Sequence, residues 1–272
     1  MKNSVTLSKS LLFLVLILLA VTTNTTNAAS KSDLAKEKRW EEQIVPSLIV
    51  GEDIKLEAEG VKFLALYAEP TTERSKGAVI LIHGRGAHPA WPDVIEPLRM
   101  QLPDYGWHTL SLQMPVLKNE AEDKDYPPLF PEVPARVQAG VEFLKSKGIR
   151  NIVISGHSTG AVMAFYYLVT QKDPAVKGFA IVSGGFGVPK DTYMDSMANF
   201  KKLKNLDIAD IYGSEDRKMV LDVVSKRNMI GPKLYGSHYH DMKIDGARHF
   251  YRERTDQLVN QLNSWLDKNV AP

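Results

Sequence analysis

One serine in this chain stands where nucleophilic chemistry is possible. Ser158 is the centre of Gly156-His157-Ser158-Thr159-Gly160, just after the β-branched run Ile152–Ile154 and just before the mostly apolar segment Ala161–Val169. A buried strand that turns at once into a buried helix holds one residue out at the turn. Small residues flank it because the backbone there is strained and the two elements lie close. A serine hydroxyl is a weak nucleophile and needs a base within hydrogen-bond reach, which a carboxylate must in turn orient. The chain offers both further on. The apolar run Leu206–Tyr212 ends in Gly213-Ser-Glu-Asp216-Arg, and the last predicted strand ends in Ile244-Asp-Gly-Ala-Arg-His249-Phe. Asp216 is the candidate acid, with the adjacent Glu215 as the alternative; in that case Asp216 would serve the following helix N-terminus. Asp207 and Asp210 fall inside the strand rather than at its tip. His249 is the candidate base. His238 and His240 stand two apart, on one face of a predicted strand. No third residue has metal-ligand spacing, so no metal site is read here.

The elements that must position these groups can be taken in order. Residues 30–43 form a charged leader, loose or helical. Ile54–Ala58 and Val61–Tyr67, around Glu59-Gly60, predict a hairpin. Lys76–His83 is a continuous apolar strand of the kind buried on both faces. Trp91, Val94, Ile95, Leu98 and Leu102 predict a helix over 91–103. A strand at Trp107–Gln113, a long loop over 114–131 and a helix carrying Val133, Val137, Val141 and Leu144 follow. After the serine turn come a strand at Val176–Ser183, a helix over 191–203, the strand Leu206–Tyr212 and a helix at Met219–Met229. A strand within Leu234–Ile244 and a last helix with Leu258, Leu262, Trp265 and Leu266 complete the chain. Strands alternating with helices predict an α/β class: a mostly parallel, doubly wound sheet in one domain, residues 44–272. The Gly84-Arg-Gly86-Ala-His-Pro89 turn fails as a dinucleotide loop, because Pro89 takes the third glycine position and no helix begins there.

Four motifs stand in a fixed order between residues 76 and 272: His83-Gly84, Gly156-His-Ser-Thr-Gly160, Gly213-x-x-Asp216 and Gly246-x-x-His249. Together they resemble the α/β-hydrolase superfamily. More narrowly, Gly77-Ala-Val-Ile-Leu-Ile-His-Gly-Arg-Gly-Ala-His-Pro-Ala-Trp91 with Gly106-Trp-His-Thr-Leu-Ser111 resembles a family of uncharacterised exported bacterial proteins of that type. The resemblance implies a serine hydrolase of carboxylic esters working through an acyl-serine, with Ser158, Asp216 and His249 as its triad. It also implies an oxyanion hole from the backbone amides of Thr159 and Arg85, with Gly86 as the alternative to Arg85. No cofactor is implied. The short segment 184–205 predicts at most a small lid. The Arg85 side chain is read as facing solvent or pairing with an acid, and the acidic loop 119–125 as a solvated rim. An amidase or peptidase would use the same residues. A non-catalytic scaffold that binds a ligand or serves the cell envelope is the alternative of another class.

Apolar residues make up 44% of the 272 and charged residues 24%, ordinary values for a globular chain. Lys2 and Lys9, the apolar run Leu11–Val21, the polar segment Thr22–Asn27 and then Ala28 follow the order of a secretory signal. The run is short of the roughly 20 residues that span a bilayer. The expectation is a signal peptide over 1–28 and export, periplasmic with secretion the alternative, without integral membrane association after cleavage. Residues 1–28 carry two lysines and no acid, so without them the 34 basic and 32 acidic residues balance. A balanced chain gives no support to nucleic-acid binding, and a small-molecule ester or amide is the expected partner. There is no cysteine, so neither a disulfide nor a cysteine nucleophile is available.

Overall fold

In the strand Gly77–Ile82 (β3), Val79 and Leu81 point to one face of the sheet and Ile80 and Ile82 to the other. All four are fully buried, as a continuous apolar run requires when both faces are covered. The computed structural model describes residues 30–185 and 193–272. The expected signal, and residues 186–192 of the expected lid segment, lie outside them. Within the described residues eight strands form one sheet: β1 (Glu52–Ala58), β2 (Val61–Ala68), β3, β4 (Trp107–Leu112), β5 (Ile152–His157), β6 (Val176–Val182), β7 (Asp207–Gly213) and β8 (Tyr239–Ile244). Their spatial order is β1-β2-β4-β3-β5-β6-β7-β8. The pairs β1–β2 and β2–β4 are antiparallel, with Ala58 opposite Val61 across the hairpin, and every other pair is parallel.

The helices cover both faces. On one lie α3 (Val133–Ser146) and α4 (Thr159–Thr170), whose Val137, Val141 and Phe165 pack on Ile80, Ile154 and Phe179. The short helix α5 (Ser196–Phe200) joins the same core through Phe200, which lies edge-on to Tyr235 at 5.2 Å. On the other face α2 (Ile95–Gln101) and α7 (Thr255–Asn269) pack Leu98, Leu262 and Trp265 over Val79, Leu81 and Val153. The parallel crossovers put the C-terminal ends of β3, β5, β6, β7 and β8 along one edge. Ligands of open α/β sheets bind at that edge.

Four elements differ from expectation. The predicted helix over 91–103 is α-helical only over Ile95–Gln101 and tightens into a 3-10 turn, Leu102–Tyr105, where Pro103 cannot donate a helical hydrogen bond. Of the predicted helix over 191–203, residues 191–192 lie outside the described residues and the rest is α-helical only over Ser196–Phe200. The helix expected over Met219–Met229 is α6 (Lys218–Tyr235), which continues through Gly231-Pro232. The missing side chain of Gly231 admits the ring of Tyr239, since a Cβ there would stand 2.7 Å from Tyr239 Cδ1. His238 lies in a 3-10 turn before β8, with Nδ1 2.8 Å from Asp207 Oδ1, so it does not share a strand face with His240.

The segment 30–43 holds a docked helix, α1 (Leu34–Ile44), capped by the Asp33 side chain accepting from the Lys36 amide at 2.9 Å. Glu37 is buried against Arg136 of α3 at 2.9 Å and accepts from Ser32 Oγ. Arg136 Nη1 also donates to the Gln113 carbonyl at 3.0 Å. Ile44 packs against Leu64 and Leu66 of β2. No helix of the described residues is long and apolar enough to cross a membrane.

Candidate active site

Three side chains meet at the C-terminal edge of the sheet. Ser158 follows β5, with φ 57° and ψ −124°, a conformation that L-residues rarely adopt. The turn is possible because its flanking glycines leave room: a Cβ on Gly156 would stand 2.6 Å from the Gly160 carbonyl, and one on Gly160 would collide with the Ile82 carbonyl of β3. His249 follows β8, and its Nε2 lies 3.1 Å from Ser158 Oγ. Asp216 follows β7, with Oδ1 2.8 Å from His249 Nδ1. With Nδ1–H donating to the carboxylate, Nε2 carries a lone pair and accepts from the serine hydroxyl. Ser158, Asp216 and His249 are each at most 7% exposed.

Asp216 is held on every side. Its Oδ1 also accepts from the Arg217 amide at 2.7 Å, and Oδ2 accepts from Ser183 Oγ. Burial alone would raise its pKa. The hydrogen bonds from His249 and Ser183, the nearby imidazole and the Arg217 amide together outweigh burial and leave the carboxyl below the ordinary aspartate range. Ser183 gives its proton to Asp216, so its oxygen accepts from the Tyr251 hydroxyl at 2.7 Å. Tyr251 is 1% exposed, and burial raises its pKa, which keeps it protonated as a donor. Ser183 and Tyr251 have φ of 47° and 54°. Together with Ser158 they are three of the five non-glycine residues with positive φ among the described residues. Such backbone strain persists only where surrounding structure enforces it, and it clusters at functional sites. Glu215, the alternative acid, points outward and meets Arg248 at 3.2 Å.

The turns carrying Asp216 and His249 are stitched together. The Ser214 amide donates to the Ile244 carbonyl at 2.9 Å, the Glu215 amide to the Ala247 carbonyl at 2.9 Å, and the Gly246 amide to Ser214 Oγ at 2.8 Å. His157, beside the serine, reaches the same unit: its Nε2 donates to the His249 carbonyl at 2.9 Å. Burial, with a smaller push from His249, lowers the His157 pKa to about 4, so the ring is neutral at pH 7.

The expected oxyanion residues flank the serine. Thr159 opens α4, and neither its amide nor that of Arg85 donates to any acceptor among the described residues. The Gly86 amide donates to the Tyr126 hydroxyl at 3.2 Å and is thereby engaged. The Arg85 side chain lies 3.1 Å from Asp123 and donates to the Ala121 carbonyl at 2.8 Å. Asp123 therefore brings the acidic loop to the site, where a purely solvated rim is expected. These groups line a cleft of about 120 Å³ with Trp91, Phe250 and Arg217. The contributions of His157, Ser183, Tyr251 and Asp123 are missed by motif reading. Ser183, at the end of a predicted strand and before Gly184-Gly185, carried the only local hint.

Known proteins give the fold and the family. A search of curated proteins finds no match. Among solved structures, the alpha-beta serine hydrolase homologue from Coxiella burnetii is 18% identical, with a TM-score of 0.59 over 79% of this chain and 99% of that one. A dienelactone hydrolase from Anabaena variabilis is 18% identical, with a TM-score of 0.62 over 80% and 97%. The Pyrococcus furiosus esterase Pf2001 is 14% identical, with a TM-score of 0.63 over 81% and 93%. Such likeness gives the α/β-hydrolase fold. A family model described as Protein of unknown function (DUF3530) matches residues 10–128 and 118–268, and the chain, an α/β-hydrolase fold in architecture, belongs to that family.

Proposed function

We propose that the protein is a serine hydrolase, acting on carboxylic esters through an acyl-Ser158 intermediate. The observation that carries this reading is the hydrogen-bonded series Ser158 Oγ, His249 Nε2, His249 Nδ1 and Asp216 Oδ1, with contacts of 3.1 and 2.8 Å at the ends of three strands. In the proposed reaction Ser158 Oγ attacks the carbonyl carbon while His249 Nε2 takes its proton. The carbonyl oxygen becomes an oxyanion and meets the amides of Thr159 and Arg85. Collapse breaks the bond to the leaving alkoxide, which receives the proton from Nε2. Water then attacks the acyl-serine by the same route, with His249 again the base, and the acid product leaves. Asp216 keeps Nδ1 protonated and stabilises the imidazolium. The small cleft, which opens beside a wider groove, favours a short acyl group over a long chain.

The test is covalent. A fluorophosphonate probe should label Ser158 in the folded wild type, and short p-nitrophenyl esters should turn over; both should vanish in Ser158→Ala. A folded wild type that takes no label and hydrolyses no ester would instead favour a non-catalytic binding scaffold. We also propose that the protein is exported and periplasmic. The charge and apolar pattern of residues 1–28 supports this, and mass measurement of the N-terminus from the periplasmic fraction checks it.

A further inference from the structure

Most of the arginines around the site are matched by a carboxylate, and the one at its mouth is not. The small cleft over Ser158 shares His249, Phe250 and Arg217 with a groove of about 620 Å³. Around the two, Arg85 is paired with Asp123 at 3.1 Å, Arg248 with Glu215 at 3.2 Å and Arg252 with Asp93 at 2.9 Å. Arg254 lines the groove but not the cleft; it has no carboxylate within ion-pair distance among the described residues and donates to the backbone carbonyls of Asp245 and Glu253. Arg217 is the one arginine that borders both spaces, and among the described residues no carboxylate lies within ion-pair distance of its guanidinium. Its place is set from two sides. Its amide is fixed on Asp216 at 2.7 Å, and its guanidinium lies over the Phe250 ring, 5.4 Å from the centroid. A guanidinium held over a ring still has its N–H groups available, and their planar fork suits an oxyanion with two acceptors. Arg252 also lies over the Phe250 ring, at 5.7 Å, but is neutralised by Asp93, so of these two cations the one without a carboxylate partner is Arg217.

Resting on the hydrolase reading, we propose that Arg217 selects esters bearing an anionic group, a carboxylate or a phosphate, close to the scissile bond. The cleft holds the scissile carbonyl against Ser158. Its small volume puts the substrate's charge within a few bonds of that carbonyl, at the Arg217 edge where cleft and groove join. Arg217 in this role is a specificity residue. It takes no proton and leaves the acyl-transfer steps unchanged.

The experiment compares kcat/KM for mono-p-nitrophenyl adipate with that for its neutral methyl ester, after subtraction of spontaneous hydrolysis, in the full mature protein. The wild type should prefer the anionic ester by about tenfold, the scale of one charge-assisted contact. The preference should shrink as salt is raised, disappear in Arg217→Gln and survive in Arg248→Gln, whose guanidinium is already paired. A phosphate-bearing ester of equal length, run alongside, assigns the anion: the ester with the larger Arg217-dependent preference carries the favoured group. Equal rates for charged and neutral esters in the wild type, or a preference retained in Arg217→Gln, overturn the inference and leave the hydrolase reading standing. Turnover of no ester, with no fluorophosphonate label on Ser158, removes both.

Discussion

Asp210 and Asp216 belong to the same strand and the turn that ends it, and both are buried, yet their surroundings differ in kind. Asp210 is 0% exposed and accepts two hydrogen bonds from Arg227, at 2.6 and 2.7 Å, and one from the Tyr239 hydroxyl at 2.8 Å. Its partner carries a permanent charge, and the pair is sealed between β7, α6 and β8. Asp216 faces an imidazole that lines the cleft, a serine hydroxyl and a backbone amide. A carboxylate satisfied by a guanidinium holds elements together. One satisfied by an imidazole can alter the behaviour of the group next to it, because an imidazole, unlike a guanidinium, can both take up and give away a proton. Burial and hydrogen bonding alone do not separate the two roles; the chemistry of the partner does.

The contrast is open to attack from both ends. The largest effect expected is on Asp216→Asn, which should lower ester turnover by roughly 10⁴-fold, the scale for losing the orienting acid, with little change in melting temperature. Glu215→Gln should be nearly silent, and a severe loss there with a mild one in Asp216→Asn would reverse the assignment. Asp210→Asn should do the opposite: denaturant titration should show a loss of about 3–5 kcal/mol, because Arg227 is left buried without its counter-charge, while the remaining folded protein keeps its specific activity. Ser183→Ala sharpens the comparison by weakening Asp216 without removing it, and kcat should fall about tenfold, the scale of one hydrogen bond to a charged group.

Acid sensitivity supplies the smallest test. The folded-state pKa of Asp216 is depressed, so its contribution to stability is complete above the ordinary aspartate range and is lost as pH falls through the lowered folded value. In Ser183→Ala the folded value is lowered less, so the loss should be smaller and complete at a higher pH. His157 acts earlier in an acid titration: the unfolded chain takes up its proton below about pH 6.5, the folded protein only near 4. Between these values stability should fall by about 1.4 kcal/mol for each pH unit lowered. His83 and His88, pushed by burial to about 3 and about 4, add the same sign. His157→Gln keeps a donor for the His249 carbonyl and should flatten the pH dependence of the unfolding free energy by one proton.

Much of this architecture is legible in the chain because it is local. The continuous run of β3, the Glu59-Gly60 hairpin and the small-residue turn around Ser158 each announce themselves within a few residues. The three side chains that meet can be named because each follows a strand in its own short motif. What is not legible depends on distant partners. The extent of α6 through Gly231-Pro232 is fixed by the stripe Val220, Val224, Arg227 and Gly231, which packs regardless of the missing amide. The roles of Ser183 and Tyr251 depend on the sign of a backbone angle and on strands meeting side by side. Asp123 reaches the cleft only because its loop folds back over Arg85.

The stitched turns after β7 and β8 have a mechanical consequence. With Ser214, Glu215 and Gly246 bonded across to Ile244, Ala247 and Ser214, the loops carrying Asp216 and His249 behave as one rigid body. Breathing of that sheet edge should therefore carry both residues together and change their mutual distance little. The soft coordinate is the gap between this body and the Ser158 turn, and the His157 bond is the tether across it. Loosening the tether should therefore widen the spread of Ser158–His249 distances while the His249–Asp216 distance stays narrow.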